Sequence, residues 1–204
     1  MWFFFCFVMK YKNVIFFIVL FEHISFCVNI IYTKRGKKNM GNEQKAVDIA
    51  RYIINKCHEN DFLISNLKLQ KLLYFAQGYS LALNDEPLFK EEIEAWDFGP
   101  VVPEVYREFK MFGANEIPEI KTYYDTNFDS DTFLEEVEFT TDIFSEVQKV
   151  IMDAVIKQLG RFSANRLVTI THEQAPWINS YSKNSPSIIS KKDIKTYFKG
   201  YLGK

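Results

Sequence analysis

Beyond position 40, the residues with the chemistry for nucleophilic, acid–base or metal work are few: Cys57, His58, His172 and the carboxylates Glu91, Glu92 and Glu94. Each set fails on spacing. Cys57 and His58 are adjacent, and neighbours on a helix point about 100° apart, so they do not make a thiolate–imidazole pair. His172 is followed by Glu173, as in a zinc-protease helix, but no second histidine follows one turn later and too few ligands exist for a zinc site. The three glutamates fall within one short run, where such residues are ordinarily a solvated face and not a matched acid–base pair. Neither a nucleophile elbow nor a phosphate-binding glycine loop occurs. These absences lead us to expect no catalytic residue, no metal site and no cofactor.

Recognition chemistry is better represented. Trp96 and Trp177 are of the type that anchors protein interfaces, and they serve equally well as half-buried core residues. Gly99 suits a backbone conformation or close approach that a side chain would prevent, and Pro100 fixes the chain that follows. Lys68, Gln70, Lys71 and Gln77 lie around one helix, with donors and acceptors suited to bonding the 96–101 loop or lining a groove. His172, at a helix C-terminus, is suited to capping it. Glu173 is placed to bond neighbouring backbone or Lys71. Should one partner-binding groove collect these groups, its members are Gln70, Trp96, Gly99, Pro100, His172, Glu173 and Trp177.

The elements that must position them read as helices. Ala46, Val47, Ile49, Ala50, Ile53, Ile54 and Cys57 recur at helical spacing over residues 44–58. A second helix follows Ser65 as N-cap, and its stripe of Leu67, Leu69, Leu72, Leu73, Phe75, Ala76 and Tyr79 is wide enough for neighbours on several sides. Gly78 permits a close backbone approach. Residues 84–87 form a turn, and 88–98 read as a short strand or an extended loop. Gly99-Pro100 ends that stretch, and Pro103 opens a third helix closed by Gly113, with Tyr106 and Phe109 expected to pack inward. Two aromatic runs within 115–140 suit a small hairpin, in a segment with eight acidic residues against Lys121. This segment reads as a variable insertion with an acidic face, or as a solvated loop. A fourth helix is expected from Thr141 or Asp142 to Leu159 with Gly160 as its cap. Ser163 caps a short helix ending at His172, a turn leads into another helical stretch, and Ser190 with Asp193 resembles the capping box of a last helix. The fold class is therefore mainly α: a compact helical domain with room for one small β-hairpin, plus an apolar N-terminal extension.

The division lies at residue 39, with the globular domain over 40–204. Residues 1–39 carry eight phenylalanines and six basic residues against Glu22, which leaves 19 basic and 25 acidic residues in the remainder. An acidic globular part has no general attraction for phosphate backbones, so no nucleic-acid partner is expected. The lone Cys57 there suits a reducing compartment. Three readings of residues 1–39 stand side by side. Val14 to Tyr32 has the length of one bilayer span, interrupted by Glu22, His23 and Asn29, with a basic flank that would hold the domain on the cytoplasmic side. A signal peptide lacks both a charged leading region and a small-residue cleavage site. A start placed too early, with Met40 as the true one, accounts for the polar helix beginning just after it. A cytoplasmic domain is expected, with a membrane anchor as the alternative.

Three motifs occur in order: LKLQKLLYFAQGY at 67–79, EAWDFGPVVPEVYREFK at 94–110 and LVTITHEQAPW at 167–177. Together they resemble the Panacea domain of SocA-like antitoxins, a family that includes prophage-borne members, over about residues 44–201. The resemblance implies a largely helical fold with a small β element and no cofactor. It implies an antitoxin of type II, encoded beside a cognate toxin that it neutralises by direct protein contact. It also offers a proteolytic adaptor that delivers the toxin to a Clp-type protease, and a mobile-element interaction protein without a toxin. The extension and the acidic 115–140 segment depart from the pattern.

Overall fold

The computed structural model describes residues 44–126 and 134–200, with Phe26. The expectations for residues 1–39, and for Asp129 and Asp131, lie outside the described residues.

Helix α1 spans Ala46–Glu59 and helix α2 spans Asn66–Asn84. The two bury their faces differently. On α1 the buried residues Ile49, Ala50, Ile53, Ile54 and Cys57 follow the expected helical stripe, and Asn55 and Glu59 stay outside. Helix α2 is buried nearly all round, so that Lys68, Gln70, Lys71 and Gln77 go inside with the leucines. Among the described residues it packs against five other helices and against the strand Gly99–Val101. Ser65 stands at its N-cap position, but its side chain makes no capping bond. Leu67, expected in the apolar stripe, is half-buried.

Strand β1 (Ile93–Trp96) turns tightly into β2 (Gly99–Val101), pairing Trp96 with Gly99 and Ala95 with Pro100. On its other side β1 pairs antiparallel with β5 (Ser187–Ile189), giving a sheet of order β2-β1-β5. The stretch left between strand and loop is thus a strand at its C-terminal end.

Helix α3 (Pro103–Phe109) has Pro103 in its first turn and runs into a 3-10 turn, Lys110–Phe112, which Gly113 ends as expected. Tyr106 departs from its inward assignment. Phe109 is buried, but Tyr106 is 38% exposed and sets its ring edge-on to Trp96 at 5.0 Å. The two side chains stand about 60° apart around the helix, which lets Phe109 reach the core while Tyr106 stays at the edge of the buried face.

Strands β3 (Thr122–Thr126) and β4 (Leu134–Glu138) form the hairpin expected in the acidic segment. Helix α4 is Glu146–Leu159 and begins later than expected, because Ser145 and Gln148 make a reciprocal capping box. Helix α5 is Ala164–His172, with the Ser163 hydroxyl accepting from the Arg166 N–H, and α6 is Ala175–Ser180. Helix α7 (Lys191–Lys199) is capped by Ser190, whose hydroxyl accepts from the Asp193 N–H and donates to the Asp193 carboxylate at 2.7 Å. This differs from the full box, in which that carboxylate would take the Ser190 N–H.

Helix α7 docks on α2 at Gly78. A side chain there would collide with the ring of Phe198, which lies edge-on to Tyr74, Phe75 and Tyr79. Glycine inside a helix costs about 1 kcal/mol relative to alanine, and this close approach of an aromatic helix offsets it.

Candidate functional site

The β1–β2 hairpin is fastened to the helices by side chains placed far from it in sequence. The Lys71 Nζ donates to the Pro100 carbonyl at 2.9 Å, and the Gln70 Oε1 accepts from the Val102 N–H at 2.9 Å. Gln70 is itself held by donating to the Asn66 Oδ1 at 2.9 Å, and Asn66 donates to the Tyr106 carbonyl at 3.0 Å. From the other side, the Trp177 Nε1 donates to the Trp96 carbonyl at 3.0 Å and the Tyr181 hydroxyl donates to Asp97 at 2.9 Å. Of these bonds, that of Lys71 occupies a backbone group of β2 itself, and the others hold Val102 just after it, the Trp96 end of β1 and the Asp97 side chain in the turn.

The turn needs Gly99. Its φ is +98°, and an added Cβ would lie 2.8 Å from Thr171 Oγ1 and 3.0 Å from Lys71 Cε and Nζ. Lys71 is wholly buried under it without a carboxylate in contact, and burial pushes its amine down to about 7. His172 stacks on Trp177 at 3.9 Å, and Trp177 stacks on Tyr181 at 4.6 Å. The imidazole is held below its ordinary value by burial first and by the Lys71 charge second, while the Asp97 backbone acts in the opposite sense. Its Nε2 is buried and has no hydrogen-bond partner among the described residues. Burial and a neighbouring cation both favour the neutral ring, which stacks as a flat apolar plate.

Two surfaces result. At the hairpin tip Asp97 is exposed and Phe98 is 66% exposed. Beside the tip an open groove of about 630 Å³ runs between the hairpin, the Lys110–Ala114 stretch and the 182–186 turn. Trp96, Phe98, Val101 and Tyr106 supply much of its apolar lining. This arrangement is suited to binding. The Lys71 amine is covered by the hairpin, and no group of metal-ligating residues occurs among the described residues.

The residues singled out in the sequence come together around this hairpin in unequal roles. Gln70, Gly99 and Pro100 are buried supports, and only Gln70 also touches the groove. Trp96 lines the groove, while His172 and Trp177 brace the hairpin's opposite side. Glu173 is exposed, and the Lys71 bond foreseen for it goes to Pro100 instead. Of the four polar residues on α2, Lys71 bonds the 96–101 segment at Pro100, while Gln70 bonds Val102 just beyond it and lines the groove. Lys68 donates to the carbonyls of Leu63 and Gly160, and Gln77 bonds the backbone of Leu88 and Phe89. Sequence reasoning missed Asn66, Phe98, Lys110 and Tyr181. An exposed phenylalanine between aspartate and glycine was the one available signal.

A family profile described as "Antitoxin SocA-like, Panacea domain" matches residues 69–178, which span every site residue singled out in the sequence. Among curated proteins, Antitoxin SocA of Caulobacter vibrioides (strain NA1000 / CB15N) is similar, 35% identical over 130 residues. The alignment covers 63% of this chain and 66% of that protein, just under two thirds of its length. No solved structure matches.

Proposed function

Since this chain belongs to the family of SocA-like antitoxins with a Panacea domain, we propose that it is the antitoxin of a type II pair, binding its cognate toxin directly. The observation that carries this is the clamped hairpin. An exposed phenylalanine on a turn held by four side-chain bonds is an interface anchor whose ordering cost has been met before the partner arrives. The toxin is a protein encoded by an adjacent gene, and no catalysis or cofactor takes part. The domain works in the cytoplasm. Among the described residues no helix is long and apolar enough to cross a membrane.

A second reading, carried by the family resemblance, is delivery of the bound toxin to a Clp-type protease. Co-expression with the neighbouring gene in a sensitive host tests both. Growth arrest by the neighbour, relieved by this chain with the toxin level unchanged, is the outcome expected for masking. A toxin half-life shortened only when the protease is present would replace masking with delivery. A harmless neighbour would remove both.

A further inference from the structure

We propose that the groove beside the β1–β2 hairpin receives an extended peptide segment of the partner protein, one that sets a large apolar side chain next to an acidic one. This rests on the reading that the chain works by binding another protein.

The floor selects the apolar side chain. Trp96 and Tyr106 meet edge-to-face there, with Leu67 and Val101 beside them. The amides of the floor are already used: Asn66 donates to the Tyr106 carbonyl, and Gln70 bonds Asn66 and Val102. An occupant finds few free donors or acceptors at this depth, so burying a polar group would go uncompensated and burying an apolar one is favoured. At about 630 Å³ the groove holds several side chains.

The rim selects the charge. Two charged side chains line the groove, Asp97 and Lys110. Asp97 accepts the Tyr181 hydroxyl, whereas Lys110 has no ion pair or hydrogen bond among the described residues. The uncommitted charge is therefore a cation at the edge of an aromatic trough, and it complements a carboxylate on the occupant. The opposite wall is the 182–186 turn, closed by the Ser185 N–H to the Ser182 carbonyl. The side chains of Ser182, Asn184 and Ser185 bond nothing else among the described residues and are suited to an extended backbone. A nucleic acid fits poorly, because Asp97 offsets the single lysine.

The test uses random dodecapeptides displayed on phage and selected on the immobilised full chain. Ala114→Trp and Lys110→Glu are run in parallel, after circular dichroism shows both folded. Ala114 lines the groove and is exposed, so a tryptophan there fills the trough without entering the core. We expect a consensus with Leu, Phe or Trp beside Asp or Glu. A synthetic peptide of that consensus should bind at least tenfold more weakly to Ala114→Trp, and Lys110→Glu should select basic residues in place of acidic ones. No consensus, equal binding by Ala114→Trp, or an unchanged acidic preference on Lys110→Glu would each overturn the assignment. Growth rescue keeps the two readings apart. A harmless neighbouring gene together with groove-dependent peptides leaves the groove assignment standing and removes the antitoxin reading. A toxic neighbour neutralised equally by wild type and Ala114→Trp does the reverse.

Discussion

Two antiparallel hairpins in this molecule, β1–β2 and β3–β4, are built from the same ladder chemistry and set in opposite surroundings. The first has three paired positions, yet side chains from α2, α6 and the residue after α6 bond its backbone and its tip. The second has five paired positions and an exposed outer face, where Tyr124 is 67% exposed. Its ties to the body include two bonds between Asn55 and Ile120 at its base and the Arg51 guanidinium over the Tyr123 ring at 3.6 Å. A two-stranded hairpin alone is marginal in water. The longer ladder is thus the less supported one, and rigidity here comes from polar side chains on neighbouring helices. A binding anchor belongs on the braced hairpin. The outer one, acidic and loosely tied, suits a modulating contact.

This contrast can be broken or sharpened in order of effect. The largest change concerns Lys71. Its amine falls from the ordinary 10.5 to about 7 on burial. Between those values the unfolded chain holds a proton that the folded chain has released. Stability therefore rises with pH through that window and sits at its lower level below about 7. In Lys71→Met this slope disappears, and the wild-type minus variant unfolding free energy should climb by on the order of 4 kcal/mol from pH 7 to 10.5 in urea titrations. Parallel profiles would show that the clamp holds no low-titrating amine.

Next is Gly99→Val, which imposes a β-branched residue at φ +98° and a contact of 2.8 Å with Thr171. It should cost about 3 kcal/mol in thermal unfolding, whereas Tyr124→Val on the outer hairpin should stay within about 0.5 kcal/mol. Comparable costs at both sites would end the distinction between braced and unbraced hairpins.

Phe98→Ala acts on binding. Stability should change by less than about 0.5 kcal/mol, while affinity for the toxic neighbour's product, read by calorimetry, should fall by roughly 2 kcal/mol. A greater loss from Tyr124→Ala would move the binding face to the outer hairpin. The smallest effect is expected from Asn55→Ala, which removes both bonds to Ile120 at about 1 kcal/mol. Faster amide exchange should then be confined to β3 and β4, and acceleration in β1 or β2 would show that the two hairpins are coupled.

Local features of the chain were legible. The caps at Ser163 and Ser190, the proline that opens α3 and the periodicity of α1 depend on residues within about one turn of each other, and the structure realises them. The family motifs were legible for the same reason, being short strings in fixed order. What failed to show was non-local. Three residues at 187–189 carry no strand signal until β1 lies beside them. The start of α4 is the local exception, set by the reciprocal box of Ser145 and Gln148. The site was half legible. Its residue types could be named, but which of them support and which face outward depends on contacts across long sequence separations, from Lys71 to Pro100 and from Trp177 to Trp96.

By itself, then, the sequence determined the helices, their caps and the family, because hydrophobic period and capping are settled between near neighbours. Only the tertiary structure decided that α2 takes two lysines and two glutamines inside with it, and that two of these four fasten a hairpin from beneath. The physical reason is that a buried polar group must find its partner wherever packing supplies one, and packing brings distant residues together without any mark in their local pattern.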